Sequence, residues 1–132
     1  MAEPVWVRDE VVLAIHRRQI AEHGGASGIR DQGMLASALA RPRNLLACSG
    51  AAADLAAFAA AYAHGIVRNH PFRDGNKRTA FVVCRTFLLL NDSDFSASRQ
   101  EKYQTFLRLA EGTLSESQLG AWIRAGIGPA GR

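Results

Sequence analysis

Read for the spacing of its apolar positions, the chain is a run of helical stretches separated by breaks rich in glycine and asparagine. Val7, Val11, Val12, Ile15 and Ile20 recur at near-helical intervals with charges between them, predicting an amphipathic first helix over residues 5–21 that Gly24 and Gly25 stop. Gly24 to Gly33 reads as a turn-rich connector that delivers Asp31 as the N-cap of a short helix through Ala40, closed by Pro42. Residues 41–53 are expected to be irregular, because Pro42, Asn44, Ser49 and Gly50 break any period. Asp54 then caps a helix running to about Asn69, with Leu55, Phe58, Tyr62 and Ile66 on one face and alanines that allow close approach. From Asn76 to Leu90 the chain is apolar around nearly its whole circumference, as a helix enclosed by others is. Ser98-x-x-Glu101 and Ser115-x-x-Gln118 are capping boxes that open two further helices, with Gly112 ending the first. Gly126 to Arg132 is expected as a flexible tail. No strand pattern emerges, so the predicted fold class is all-α: a compact bundle of about six helices around a buried central helix at Phe81–Leu90, one domain over residues 1–132.

Composition adds little until charge is placed. With 48% apolar and 21% charged residues the chain has the makings of a globular core, which excludes global disorder. Phe81–Leu90 is too short to span a bilayer, and Glu3, Arg8, Asp9 and Glu10 interrupt the start before a signal-like apolar stretch can form. A cytoplasmic location without membrane attachment is therefore expected. Cys48 and Cys84 lie far apart without metal-ligand spacing and read as reduced, structural thiols. His16 and His23 lack an acid or cysteine to complete a metal set, and they read as exposed or half-buried residues. The net charge of +4 raises nucleic acid as a partner. Its arginines are scattered, however, and the one dense basic group, Arg68, Arg73, Lys77 and Arg78, fits a small phosphorylated ligand as well as a duplex. No direct nucleic-acid binding is expected.

That group surrounds the stretch His70-Pro71-Phe72-Arg73-Asp74-Gly75-Asn76-Lys77-Arg78-Thr79-Ala80. A loop entering a helix leaves unpaired N–H groups at the positive end of the macrodipole, a seat for an anion. Gly75 permits a tight turn or the close approach of a ligand, and Lys77 and Arg78 add full charges. Asn76 either pins the loop or bonds a phosphate. His70 is the candidate general base, with packing or capping as its plainer role, and Phe72 is a structural anchor of the loop. Asp74 is a candidate Mg²⁺ ligand beside nucleotide phosphates, with helix capping as its plainer role. The catalytic candidates are thus His70 and Asp74, the nucleotide- or phosphate-binding candidates Gly75, Asn76, Lys77 and Arg78, and the metal candidate Asp74.

The string HPFRDGNKRTA resembles the signature of the Fic/Doc family, and its Lys77-Arg78-Thr79-Ala80 ending is similar to the Doc branch. Members that transfer AMP usually carry a second glycine where this chain has Lys77, and a further arginine where it has Phe81. The stretch Gly24–Leu35, followed by Ser37-Ala38-Leu39-Ala40-Arg41-Pro42, is similar to the upstream segment of Doc proteins. The resemblance implies a toxin of a type II toxin–antitoxin pair: a protein kinase that passes the ATP γ-phosphate, with Mg²⁺, to a threonine of elongation factor Tu and arrests translation. It also implies a cognate Phd-like antitoxin whose disordered C-terminal segment folds onto the toxin, and a flap before the motif, expected near residues 41–53, that aligns the target by strand addition. Lys77 fills the space that the second glycine leaves for the α- and β-phosphates, which favours a reversed nucleotide offering its γ-phosphate. A Fic-type nucleotidyltransferase (AMPylation) and a non-catalytic anion- or nucleic-acid-binding module are the alternatives.

Overall fold

Helix α1 (Asp9–His23) starts with Asp9 and Glu10 at the positive end of its dipole and stops at Gly24, whose φ of 82° is left-handed and whose N–H donates to the Ile20 carbonyl. The computed structural model describes residues 3–49 and 52–131. Helix α2 (Gln32–Ser49) opens on Asp31, whose Oδ1 accepts the Met34 N–H at 2.9 Å, the expected N-cap. It does not close at Pro42. That residue is buried inside the helix, and the chain expected to be irregular is helical through Ser49. Residues 50 and 51 lie outside the described residues. A proline costs a helix interior about 3 kcal/mol, because it removes the N–H owed to the carbonyl four residues back. Here the packing of α2 on α3 (Leu55–Asn69) outweighs that loss: Gly65 brings α3 so close that a Cβ on it would stand 3.2 Å from the Ala38 carbonyl oxygen and 3.3 Å from its Cα.

Among the described residues six helices form the bundle, as expected, but α3 occupies its middle in place of the Phe81–Leu90 segment. Residues 58–63 of α3 are buried without a break, and the helix packs against α2, α4 (Asn76–Leu90) and α6 (Glu116–Gly126). Its alanines let three neighbours come in close, whereas α4 leaves Arg85 exposed and Leu89 and Leu90 at 42% and 44% exposure. Helices α5 (Arg99–Glu111) and α6 begin with both expected capping boxes: Ser98 Oγ accepts the Glu101 N–H at 3.0 Å, and Ser115 Oγ accepts that of Gln118 at 3.1 Å.

Two short strands depart from the all-helical expectation. β1 (Ser93–Phe95) pairs antiparallel with β2 (Ile127–Pro129), register Asp94↔Gly128, so part of the expected tail is a strand. Three residues are too few for a period of two to be legible. Arg85 anchors this ribbon to α4 by bonding both carboxylate oxygens of Asp94, at 3.2 and 3.0 Å. Among the described residues no helix is long and apolar enough to cross a membrane.

Asp54 joins the start of α3 to α6. Its Oδ1 accepts the Ala57 N–H at 2.9 Å, while its two oxygens hold the Arg124 guanidinium at 2.6 and 2.9 Å. The hydrogen bond from Arg124 holds the Asp54 pKa below its ordinary value against a smaller opposing effect of burial. A carboxyl with a depressed folded-state pKa stabilises above its unfolded pKa, near 4, and loses that contribution as pH falls through the folded value. Asp54→Ala is therefore expected to cost about 1 kcal/mol for the cap and less than about 1 kcal/mol for the half-exposed pair at pH 7. Urea denaturation of both chains at pH 7 and pH 3 checks this, since the gap should narrow at the lower pH.

Candidate active site

The site forms where α3 hands over to α4. His70 is the C-cap of α3, in the left-handed region at φ 50° and ψ 54°, and its N–H donates to the Ile66 carbonyl. This conformation turns the chain sharply out of the helix, and it leaves His70 exposed, its ring without a hydrogen bond or stacking partner among the described residues. Arg30 holds the corner from outside. Its Nε donates to the His70 carbonyl at 2.7 Å and its second guanidinium nitrogen to that of Asn69 at 3.0 Å, placing a cation on the negative end of α3.

Beyond the corner the loop is clamped on three sides. Phe72 is fully buried, with both of its backbone groups bound by one side chain: Asn76 Oδ1 accepts the Phe72 N–H at 3.0 Å and Asn76 Nδ2 donates to the Phe72 carbonyl at 2.9 Å. Asn76 thus performs the pinning role among those foreseen for it. On the second side, residues 28–31 run alongside the loop in a strand-like pairing. Ile29 and Phe72 form an antiparallel bridge, the Arg73 N–H donates to Gly28 and the Arg30 N–H to Pro71. This segment, and not residues 41–49, is the extended chain that lies against the motif; of the expected flap region, residues 41–49 belong to helix α2.

The third side is α1. His16 is 3% exposed, which overturns its reading as an exposed or half-buried residue. Its ring lies flat on that of Phe72, centroids 3.9 Å apart and planes 9° from parallel, and its Nε2 is 2.8 Å from the Asp74 carbonyl oxygen. A carbonyl only accepts, so Nε2 carries the proton in this contact. One turn on, Ile20 packs below Gly75, where a Cβ would come within 3.2 Å of Ile20 Cδ1. Gly75 itself is left-handed, at φ 78°, so both space and backbone select glycine there.

Gly75 is also the N-cap of α4, and having no side chain it caps nothing. Asp74, whose plainer role was that cap, instead accepts the Ala26 N–H on Oδ2 at 2.6 Å; Oδ1 accepts no hydrogen bond among the described residues. The Thr79 N–H is the first of α4 to be satisfied, by Gly75. The N–H groups of Asn76, Lys77 and Arg78 have no acceptor among the described residues, in contrast to α3, α5 and α6, whose side-chain caps consume such donors. Beside this end of α4 lies a cleft of about 440 Å³ with a floor of Phe81, Val82 and Phe106 and cations at Lys77, Arg78, Arg99 and Lys102. The Lys77 ammonium lies 5.0 Å from the centre of the Tyr103 ring in the same cleft.

Of the basic group in the sequence, Arg73 does not line this cleft, and neither does Arg68. Arg68 lines a separate polar hollow with His64, Arg41 and Asn44. His64 Nδ1 and Arg41 Nε both contact Glu116 Oε1, at 3.2 and 2.6 Å, a structural cluster that ties α2 and α3 to α6. Cys48 and Cys84 are free, and burial pushes the Cys84 thiol up to about 12, so it stays protonated and unreactive. Arg30 and His16 are the two contributors that periodicity missed. Their histidine and arginine chemistry is visible in the sequence, but their targets are backbone carbonyls some forty or more residues away.

The arrangement brings an exposed imidazole, a carboxylate, two cations and a row of open N–H groups to one helix start. Among the described residues no group of three or more His, Cys, Asp and Glu could hold a metal ion by itself. The sequence pattern described as "Fic/DOC family" matches residues 6–88, the stretch that contains α1, the 24–31 segment, α3 and most of α4. The chain is similar to the protein named Toxin Doc of Mycolicibacterium smegmatis (strain ATCC 700084 / mc(2)155), with 40% identity over 82 residues, 59% of this chain and 63% of that protein. It is also similar to the protein named Protein kinase doc of Escherichia phage P1, with 32% identity over 85 residues, 64% of this chain and 67% of that protein. The match thus spans just under two thirds of the mycobacterial relative's length. The family pattern takes in more than half of the chain, with every element that builds the corner from His70 to Arg78, and the chain belongs to the Fic/DOC family.

Proposed function

We propose that the chain is a Doc-type toxin: a protein kinase that moves the γ-phosphate of ATP onto a threonine hydroxyl of elongation factor Tu and so arrests translation. The observation that carries this reading is the open start of α4, where the N–H groups of Asn76, Lys77 and Arg78 have no acceptor among the described residues, beside two cations and within a few residues of the exposed His70. The names of the two relatives, a toxin and a protein kinase, support the same reading.

In this mechanism His70 takes the proton from the target hydroxyl as its oxygen bonds to the γ-phosphorus and the bond to the departing ADP breaks, which requires a ring free of other partners. The N–H row and the Lys77 and Arg78 charges neutralise the phosphoryl oxygens, where phosphoryl transfer is governed by position and electrostatics. Asp74 is the residue that would hold Mg²⁺. Its Oδ1 is uncommitted while Oδ2 is fixed by Ala26, and Mg²⁺ is bound by one or two carboxylates together with nucleotide phosphates. When bound, the ion supplies charge neutralisation across the phosphates. The basic, apolar-floored cleft beside α4 offers an antitoxin's acidic segment both charge and apolar contact, so that its folding on the toxin blocks the site.

The alternative is a nucleotidyltransferase that tolerates Lys77, whose ammonium lies over the Tyr103 ring on α5. Incubating the chain and elongation factor Tu with ATP labelled at the α or the γ position separates the two. Label carried over from the γ position alone is the expected result. Carry-over from the α position rejects the kinase, and no transfer of either label rejects both.

A further inference from the structure

We infer that His16, on α1, is a positioning residue that keeps the anion seat open, by holding the Asp74 carbonyl away from the helix it would otherwise extend. In a regular helix the Arg78 N–H donates to the carbonyl four residues back, which is that of Asp74. Nothing in the sequence forbids one more turn of helix here except Gly75, and glycine permits either conformation. In this protein the Asp74 carbonyl is turned to α1, where the buried His16 donates to it from Nε2 at 2.8 Å, and the Arg78 N–H is left without an acceptor. The left-handed φ of Gly75 provides the turn, and His16 gives the turned carbonyl its partner.

The imidazole is fixed for this task. Its face lies on Phe72, whose own N–H and carbonyl are clamped by Asn76, so the ring cannot swing aside without unpacking the loop. Ile20, one turn along the same face of α1, fills the space under Gly75. A part-buried carbonyl stripped of its donor seeks another. With His16 unable to donate, the nearest relief is rotation of the peptide between Asp74 and Gly75 so that the carbonyl accepts from Arg78. That rotation closes one of the three open N–H groups and moves the backbone that carries the Asp74 carboxylate. His16 acts at one remove: it touches the loop and not the substrate. The effect on phosphate binding rests on the kinase reading above; the effect on the Arg78 amide does not.

The test uses the full chain in three forms: wild type, His16→Phe, which keeps the aromatic stack without the donor, and His16→Gln, whose side-chain amide restores a donor of similar reach. Amide hydrogen exchange of Arg78 is read by NMR, and inorganic pyrophosphate and ATP are titrated. The Arg78 amide should exchange freely in wild type and become protected in His16→Phe. Pyrophosphate should bind roughly tenfold more weakly to that variant, the loss expected for one hydrogen bond to a charged group. His16→Gln should recover most of both. Unchanged Arg78 exchange in a folded His16→Phe overturns the inference, as does equal pyrophosphate affinity in wild type and His16→Phe. If His16→Phe does not fold, the wild type alone decides through the scalar coupling between His16 Nε2 and the Asp74 carbonyl carbon, whose absence overturns the inference. Should wild type bind neither pyrophosphate nor ATP, the kinase reading fails while Arg78 exchange still tests the role of His16.

Discussion

His70→Ala is expected to abolish growth arrest on expression and to slow phosphoryl transfer by about 10²- to 10⁴-fold, the range over which a positioned general base contributes. The fold should survive. The ring of His70 has no hydrogen bond or stacking partner among the described residues, and the two backbone bonds of the corner, to Ile66 and from Arg30, need only a peptide. A left-handed residue without a polar side chain carries a modest cost, of the order of 1 kcal/mol, and His70→Gly removes even that. The pair separates chemistry from stability: both variants should be inactive, and the glycine variant should melt no lower than wild type. Growth arrest that persists in a folded His70→Ala chain excludes the base and leaves an anion- or nucleic-acid-binding module, which needs Lys77 and Arg78 but no proton acceptor.

Much of this site is legible in the sequence. Caps and breaks are local physics, so Asp31, Asp54, Ser98, Ser115 and Gly112 announced helix ends that are found at those positions. The motif from His70 to Ala80 is contiguous in sequence, and its placement at a helix start follows from its own composition. What escaped is of another kind. Pro42 is a local breaker whose cost is offset by the close approach of Gly65, a tertiary contact with no trace in the proline's own surroundings. The central place of α3 escaped because small side chains, not strong hydrophobicity, let neighbours surround a helix, and the all-apolar look of Phe81–Leu90 outweighed the alanines. His16 escaped because a lone histidine on an amphipathic helix is ordinary until the carbonyl opposite it is known. The segment that lies against the motif is likewise expected at residues 41–53, whereas the glycines at 24, 25 and 28, all at positive φ, shape it upstream. Gly25 even borders the site, since a Cβ there would stand 3.0 Å from that of Asp74.

The largest loss of stability is expected from Asn76→Ala. Asn76 is 5% exposed and satisfies two buried backbone groups of one residue, so removing its amide strands the N–H and the carbonyl of Phe72 together. An unsatisfied buried group costs about 1–3 kcal/mol, and two of them, partly relieved by relaxation, predict a loss of about 3 kcal/mol. For a chain of this length that lowers the melting temperature by roughly 10 °C, readable by calorimetry. Asn76→Asp sharpens the interpretation. At neutral pH its second carboxylate oxygen would face the Phe72 carbonyl, two acceptors with no proton between them, and the variant should be at least as unstable as Asn76→Ala. A protonated carboxyl can donate where the amide did, so the folded state raises the pKa of the introduced group. A raised acid pKa stabilises below the unfolded value and loses that contribution as pH rises through the folded one. Asn76→Asp should therefore approach the wild-type melting temperature as pH falls below about 4, while Asn76→Ala keeps its deficit at every pH. Parallel deficits for the two variants across that range would mean that the Asn76 amide does not clamp Phe72, and that the loop is held by the His16 stack and the Ile29 bridge alone.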